Sequence, residues 1–207
     1  RAEQLRLEGI SIIYLAVDGR LAGLLAVSDP IKPTSQQAVS KLQSEDVKVI
    51  MATGDGLTTA RAVAKQLGIE EVHGEVKPQD KEKLVADLQG YGRRVAMAGD
   101  GINDAPALAA ASVGIAMGGG TDVAMHAAGI TLMRGDPRLV PAALEIARRT
   151  YRKIQQNLFW AFIYNLVGIP LAAFGFLSPV VAGAAMALSS VSVVSNALLL
   201  RSWKPEE

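Results

Sequence analysis

Apolar and polar positions fall into blocks along the 207-residue chain, and the period of those blocks changes more than once. Over residues 10–27 two apolar runs, Ile12-Ile13-Tyr14-Leu15-Ala16-Val17 and Leu21-Ala22-Gly23-Leu24-Leu25-Ala26-Val27, are parted by Asp18-Gly19-Arg20. Asp-Gly between apolar runs is a strong local signal for a β-hairpin. Ser28-Asp29-Pro30-Ile31-Lys32-Pro33 follows, and its two prolines mark a hinge or domain boundary. From Thr34 onward helical and strand patterns take turns. Residues 35–44 carry Ala38, Val39 and Leu42 on one helical stripe, and Val47-Lys48-Val49-Ile50-Met51 reads as a strand leading into Thr53-Gly54-Asp55-Gly56. A helix over residues 58–67 turns Ala60, Val63, Ala64 and Leu67 inward, with Gly68 as its stop. A short edge strand begins at Val72, Pro78 opens a helix over residues 79–88, and Val95-Ala96-Met97 begins the next strand. Strands over 113–117 and 130–133 flank the turn Gly118-Gly119-Gly120-Thr121, where Thr121 or Asp122 caps a helix. Asp136-Pro137 starts a long helix toward Tyr151. Repeated strand–helix units of this length predict an α/β fold, a doubly wound parallel sheet covered on both faces.

The last quarter reads differently. Residues 157–177 and 180–200 are two apolar stretches of about 21 residues each, long enough to cross about 30 Å of hydrocarbon at about 1.5 Å per residue. Ser178-Pro179 parts them, so they predict a transmembrane helical hairpin. Between Asn157 and Leu200 there is no acidic or basic side chain apart from the phenol of Tyr164. Two consecutive uncharged spans argue against a buried helix pair in a soluble core. Arg148, Arg149, Arg152 and Lys153 precede the hairpin and Arg201 and Lys204 follow it, which puts both chain ends and the α/β part on the cytoplasmic side of a cell membrane. Overall charge is nearly balanced, with 21 Lys and Arg against 20 Asp and Glu, so no polyelectrolyte partner such as nucleic acid is implied. With no cysteine, the chain holds neither a disulfide framework nor a thiolate metal site. The first residue is Arg1 rather than Met, and a fragment of a longer protein is the expectation.

Candidate chemistry gathers where strands end. Val95-Ala96-Met97-Ala98-Gly99-Asp100-Gly101-Ile102-Asn103-Asp104-Ala105-Pro106 is an apolar strand that delivers Asp100 to the carboxyl edge of the sheet, with Asn103 and Asp104 on the loop beyond. Two carboxylates and an amide there suit a hard divalent cation such as Mg²⁺ that holds phosphate oxygens; the plainer reading is an Asp-rich turn that caps a helix. In a doubly wound sheet ligands bind beyond the carboxyl ends of the strands. Thr53, after the residue 47–51 strand, shares that location, and Lys81 stands in the first turn of a helix between them. A hydroxyl, an ammonium and a carboxylate-held Mg²⁺ neutralise the oxygens of a transferring phosphoryl group if all three face one anion-sized gap. Individually, Thr53 and Asp55 also read as helix caps and Lys81 as a solvated lysine.

Together, Thr53-Gly54-Asp55, Pro78-Gln79-Asp80-Lys81 and Gly99-Asp100-Gly101-Ile102-Asn103-Asp104-Ala105-Pro106-Ala107-Leu108 resemble the phosphorylation-domain motifs of P-type ATPases, built on the haloacid-dehalogenase fold. Asp29-Pro30-Ile31-Lys32 resembles the hinge of those pumps. The resemblance implies that Thr53, Gly54, Asp55, Lys81 and Asn103 belong to the catalytic set, with Thr53 and Lys81 on the acyl phosphate and Asp100 and Asp104 on Mg²⁺. It implies residues 1–27 as the tail of a nucleotide-binding domain, residues 28–150 as the phosphorylation domain and residues 151–207 as the membrane hairpin, with ATP as substrate of the whole pump. The family's nucleophile motif, Asp-Lys-Thr-Gly-Thr, and the actuator motif, Thr-Gly-Glu, do not occur in this sequence. The partners implied are the lipid bilayer and the missing N-terminal part of the same pump, with a copper chaperone as a candidate donor.

In the second apolar stretch Met186 and Ser190 stand four apart on one helix face, and Tyr164-Asn165 lies in the first, ahead of Gly168 and Pro170. Lipid-facing packing accounts equally well for such residues on spacing alone. A soft thioether without Asp, Glu, His or Cys in either stretch suits Cu(I) better than Zn²⁺. Tyr164-Asn165 and Met186-Ala187-Leu188-Ser189-Ser190 resemble the last two helices of the copper(I)-exporting subgroup, although the connection over residues 174–179 is shorter than usual there. Silver or another heavy metal is the alternative cargo, and a membrane-anchored module that binds phosphate or metal without turnover is the alternative class. The chain alone is expected neither to form an aspartyl phosphate nor to hydrolyse ATP; acid-stable labelling of it by γ-labelled ATP overturns that expectation.

Overall fold

A computed structural model describes residues 1–28, 30–176 and 178–203. Asp29 of the expected hinge, Leu177 at the end of the first apolar stretch and Lys204 of the basic flank lie outside the described residues. The chain divides into two compact units, Arg1–Pro141 and Ala142–Glu207.

The first unit opens with helix α1 (Ala2–Leu7) and the antiparallel pair β1 (Ser11–Val17) and β2 (Arg20–Val27). Val17 pairs with Arg20, leaving a two-residue loop in which Asp18 (φ 50°) and Gly19 (φ 73°) are both left-handed. That turn matches the right-handed twist of its strands, which is why Asp-Gly marks a hairpin. Most apolar side chains of the pair stay open, Ile13, Leu15, Val17, Leu21, Leu25 and Val27 among them.

Strand–helix units follow: α2 (Ser35–Ser44), β3 (Ile50–Ala52), α3 (Leu57–Leu67), β4 (Glu71–His73), α4 (Pro78–Gly90), β5 (Ala96–Gly99), α5 (Ala105–Ala110), β6 (Val113–Ala116), α6 (Asp122–Ala127) and β7 (Ile130–Thr131). All pairing among these strands is parallel, in two groups: β3 with β4, and β5 with β6 with β7. Among the described residues β3 therefore has no partner on its other edge, and neither has β5. Val39, Ala64, Leu67 and Ile69 form a core cluster with Val49, Met51 and Val72 packed on it. A second buried set, Leu108, Ile115, Ala116, Ala124 and Leu132, lies around β6. Gly68 (φ 73°) ends α3 in the left-handed conformation its sequence predicts, and Thr121 rather than Asp122 caps α6, accepting the Ala124 N–H at 3.3 Å.

The second unit holds most of α7 (Leu139–Ala173) and all of α8 (Pro179–Leu198), which a 3₁₀ turn (Leu199–Ser202) extends. The expected helix toward Tyr151 and the first apolar stretch are one continuous 35-residue helix, with Pro170 inside it. Of the described residues only Pro179–Ser202, 24 residues, is long and apolar enough to cross a membrane on its own. Asn157, Asn165 and Pro170 lower the hydropathy of the corresponding part of α7. Hydrogen bonds join α7 to α8 near the end of the chain: Lys153 Nζ donates to Asn196 Oδ1 (2.7 Å), and Asn196 Nδ2 donates to Asn157 Oδ1 (2.8 Å).

Around β7 the chain closes back on the start of the strand–helix region. Lys32 Nζ donates to the Gly135 carbonyl (2.8 Å), and Thr34 Oγ1 donates to Asp136 Oδ1 (2.8 Å). Arg138 donates from its side chain to Asp136 Oδ2 at 3.0 and 3.1 Å and from its N–H to Oδ1 at 3.0 Å. Those donors, Arg138 foremost, hold the Asp136 carboxyl at about 2. Asp136→Asn is expected to destabilise the first unit by about 1–2 kcal/mol near neutral pH. A depressed folded-state value means the contribution is complete above the unfolded value of 3.8 and vanishes as pH falls through about 2. Urea unfolding of wild type and variant at pH 7, 4 and 2 measures this, and a difference that persists undiminished at the lowest pH contradicts it.

Candidate functional site

Two polar clusters sit beyond the carboxyl ends of parallel strands, one after β3 and one after β5. After β3, Thr53 is half-buried while Gly54 and Asp55 are exposed. The backbone is pinned by β4 and its following loop: Thr53 N–H donates to the His73 carbonyl (3.0 Å), Val76 N–H to the Thr53 carbonyl (2.9 Å) and Glu75 N–H to the Asp55 carbonyl (2.7 Å). Thr53 Oγ1 donates to Asp55 Oδ2 (2.9 Å) and accepts the Asp55 N–H (3.1 Å). Asp55 Oδ1 accepts from Ser11 Oγ at 2.9 Å. Neither Thr53 nor Asp55 caps α3, whose N-cap is Gly56 without a side-chain bond. The capping alternative is thereby removed.

After β5 the chain makes a 3₁₀ turn (Ile102–Asp104) that folds Asp104 back under the strand end. Asp104 is 8% exposed; its Oδ2 accepts the Gly101 N–H (3.2 Å) and its Oδ1 accepts from Lys81 Nζ (2.7 Å). Lys81 reaches across from the first turn of α4, which Pro78 opens at a position where a missing N–H leaves no bond unmade. The two side chains are 16% and 11% exposed, so the pair is largely screened from solvent. Gly99 makes this possible: a Cβ there would lie 2.8 Å from Cβ, Cγ and Oδ2 of Asp104. Gly120 plays the same part for Asp100, whose backbone carbonyl and Cα lie 2.5 and 2.9 Å from where its Cβ would be. Asp100 and Asn103 are exposed, and neither side chain has a hydrogen-bond partner among the described residues.

Lys81 and Asp104 are thus brought together, with Asp100 a few residues away on the same strand end, and Thr53 joins Asp55. No hydrogen bond or ion pair among the described residues links the Thr53 cluster to the Lys81 cluster. Spacing alone gave no sign of Ser11, 44 residues from its acceptor, or of the Lys81–Asp104 pair, 23 residues apart. Nor does the sequence mark the roles of Gly99 and Gly120, because a glycine's close contacts leave no trace in a one-dimensional pattern. The donor set suits Mg²⁺: Asp100 and Asp104 supply hard oxygens, and phosphate and water complete such a shell. Among the described residues no group of three His, Cys, Asp or Glu gathers.

In the second unit two of the candidate cargo residues, Asn165 and Ser190, bond to carbonyls of their own helices. Asn165 Nδ2 donates to the Ala161 carbonyl (2.9 Å), and Ser190 Oγ donates to the Met186 carbonyl (3.2 Å). Tyr164 packs at an angle on Trp160, 6.5 Å between ring centroids, and the Met186 side chain is open, 73% exposed.

Residues 1–112 match the family model for haloacid dehalogenase-like hydrolases. The chain is 52% identical over 204 residues to a copper-exporting P-type ATPase of Staphylococcus haemolyticus, covering 99% of this chain and 26% of that protein. It is 53% identical over 208 residues to a silver exporting P-type ATPase of Salmonella typhimurium, covering 97% and 25%. Its fold is similar to the crystal structure of a zinc-transporting PIB-type ATPase in the E2·Pi state: TM-score 0.82, 34% identity, 95% of this chain and 32% of that one. The chain spans about a quarter of the length of the curated relatives it matches.

Lys81→Met leaves the Asp104 carboxylate in its enclosed position without a cation, and is expected to cost about 3 kcal/mol. Asp104→Asn in the Lys81→Met background recovers part of that loss. Urea unfolding of the single and double variants tests the pair; a cost for Lys81→Met below about 0.5 kcal/mol would class it with solvent-screened surface pairs.

Proposed function

Because the chain belongs to the haloacid dehalogenase-like hydrolases, we propose that it supplies catalytic and membrane-spanning parts of an ATP-driven heavy-metal pump that exports Cu(I) from the cytosol through an aspartyl phosphate. One observation carries this reading: the enclosed Lys81–Asp104 pair beside the unpartnered Asp100, on a strand end of a chain that continues into long apolar helices. The acceptor aspartate is not in this sequence, and the open edges of β3 and β5 are where a strand bearing it docks. Lys81 then offers its ammonium to the phosphoryl oxygens, Thr53 its hydroxyl, and Asp100 and Asp104 hold Mg²⁺. When bound, Mg²⁺ neutralises phosphoryl charge. Gly54, Asp55 and Asn103 shape the loops around them, Asp55 by fixing the Thr53 hydroxyl. Residues 1–27 serve as the tail of the nucleotide-binding domain, and the open apolar faces of β1 and β2 support that assignment.

Cu(I) follows from the chemistry of the apolar helices. Met186 offers a thioether, with Ser190, Tyr164 and Asn165 as polar neighbours, and neither stretch contains an acidic, His or Cys ligand of the kind Zn²⁺ favours. Met186 is open to its surroundings on α8, which supports a role in which further helices of such a pump complete the site. Silver is the second reading, favoured by the relative named as a silver exporter. Both chain ends lie on the cytoplasmic side, in contact with lipid and with the rest of the pump, and a copper chaperone delivers the ion.

The whole pump in proteoliposomes is expected to show ATPase activity stimulated by Cu(I) and Ag(I) but not Zn²⁺. Met186→Ala is expected to lower Cu(I)-stimulated turnover and transport at least about tenfold, equivalent to about 1.4 kcal/mol of lost transition-state stabilisation. Stimulation by Zn²⁺ alone overturns the ion assignment, and unchanged Cu(I) transport in Met186→Ala overturns the ligand role.

A further inference from the structure

A cavity of about 460 Å³ lies within the second unit where α7 meets the 3₁₀ turn after α8. Arg149, Arg152, Lys153 and Gln156 line it from one face of α7, spaced three, four and seven residues from the first. Ser202 and Trp203 close it from the other side, over the apolar side chains of Leu199 and Leu200. One wall is therefore cationic and hydrogen-bonding, the other mixed, with Leu199 and Leu200 beside Ser202 and Trp203.

Charge at this place is lopsided. Between residues 142 and 203 there are five cations, Arg148, Arg149, Arg152, Lys153 and Arg201, and a single carboxylate, Glu145. Glu145 accepts from Arg149 Nη2 (2.7 Å) and Nε (2.8 Å) and from Trp203 Nε1 (3.3 Å). It thereby fixes Arg149 and Trp203 as the two jaws of the cavity. Lys153 is held by Asn196, and Asn196 by Asn157. Arg152 has no hydrogen bond or ion pair among the described residues, although it lines the same space. Two positioned cations and one uncommitted one around a cavity form a receptor for a phosphate-bearing anion.

Position selects the kind of anion. The cavity sits within a turn or so of Asn157 and beside Leu200, the limits of the segment without acidic or basic side chains. Trp203, with one polar edge, is a side chain enriched at the level of lipid headgroups. A basic pocket between membrane helices at that depth takes a lipid headgroup, with acyl chains running along apolar helix surface. The exposed apolar side chains Val191, Val194 and Leu198 of α8, with Leu199 of the 3₁₀ turn, provide such a surface.

We infer that the cavity between α7 and the end of α8 binds the phosphate of an anionic glycerophospholipid, gripped by Arg149, Arg152 and Lys153. This rests on the proposal that the two helices cross a bilayer. A soluble phosphate compound shares the headgroup chemistry but has no use for the apolar helix surface beside the cavity.

Native mass spectrometry of the full chain, released from detergent after equilibration with equal phosphatidylglycerol and phosphatidylcholine, tests the site. One retained phosphatidylglycerol per chain is expected, surviving excess inorganic phosphate. Arg149→Gln with Arg152→Gln is expected to cut the retained fraction at least about tenfold. Arg148→Gln with Arg201→Gln removes equal charge from the same region outside the cavity and is expected to change retention less than about twofold. Arg152→Lys, which keeps the charge, retains lipid if the double variant's loss is one of charge rather than folding. Equal losses in the two double variants, no preference between the lipids, or displacement by inorganic phosphate each overturns the inference. Flotation of the chain with phosphatidylcholine vesicles separately reports on the bilayer reading: flotation without retained phosphatidylglycerol removes the lipid site alone, and failure to float removes both.

Discussion

An ammonium and a carboxylate enclosed together, Lys81 and Asp104, set the terms for the strand end that carries Asp100. A charge withdrawn from water is tolerable only with a partner at close range, so the first turn of α4 and the turn after β5 are bound to one another. The partnership needs room that ordinary residues deny. Gly99 lets Asp104 lie against the strand backbone, and Gly120 lets the loop before α6 lie against Asp100. Any anion that reaches such a place exchanges one partner of the lysine for another of the same sign. The pair therefore pre-positions a cation whose charge is already compensated, without exposing it to solvent.

Much of this was legible in the sequence, for physical reasons that differ from element to element. Asp18-Gly19 reads as a hairpin because both residues tolerate positive φ, and both adopt it. Gly68 reads as a helix stop for the same reason. Apolar periodicity located Ala60, Ala64 and Leu67, all buried, because a helix against a sheet has one wet face. Strand lengths were less visible. Val47, Lys48 and Val49 look like strand but precede the paired residues, since β3 pairs only over the three residues opposite β4. The site was legible as a set of residue types at strand ends and illegible as a set of contacts. Nothing along the chain couples Ser11 to Asp55, or Lys81 to Asp104; tertiary packing alone does so. Continuity of α7 was equally hidden, because its polar first half and apolar second half suggest two elements where the backbone has one.

Within the second unit, polar groups are disposed of economically. Ser190, Ser192 and Asn165 turn to carbonyls four residues earlier in their own helices. Their donors are thereby satisfied without recourse to water, as an apolar environment would require. Asn157, Asn196 and Lys153 do the opposite and reach across between helices. The contrast separates side chains whose bonds are local and replaceable from those that fix one helix against the other, and the latter gather at the basic end.

Lys32 and Thr34 are bonded to Gly135 and Asp136, roughly a hundred positions further along. The α/β region between them is consequently a closed loop with its two ends stitched together. Tension applied at Lys32 and Asp136 themselves would load the stitch before the strands between them, while residues 1–11 are tied separately to α3 and the turn before it. Swapping it between related proteins at this seam, or permuting its termini there, leaves its interior ladder undisturbed.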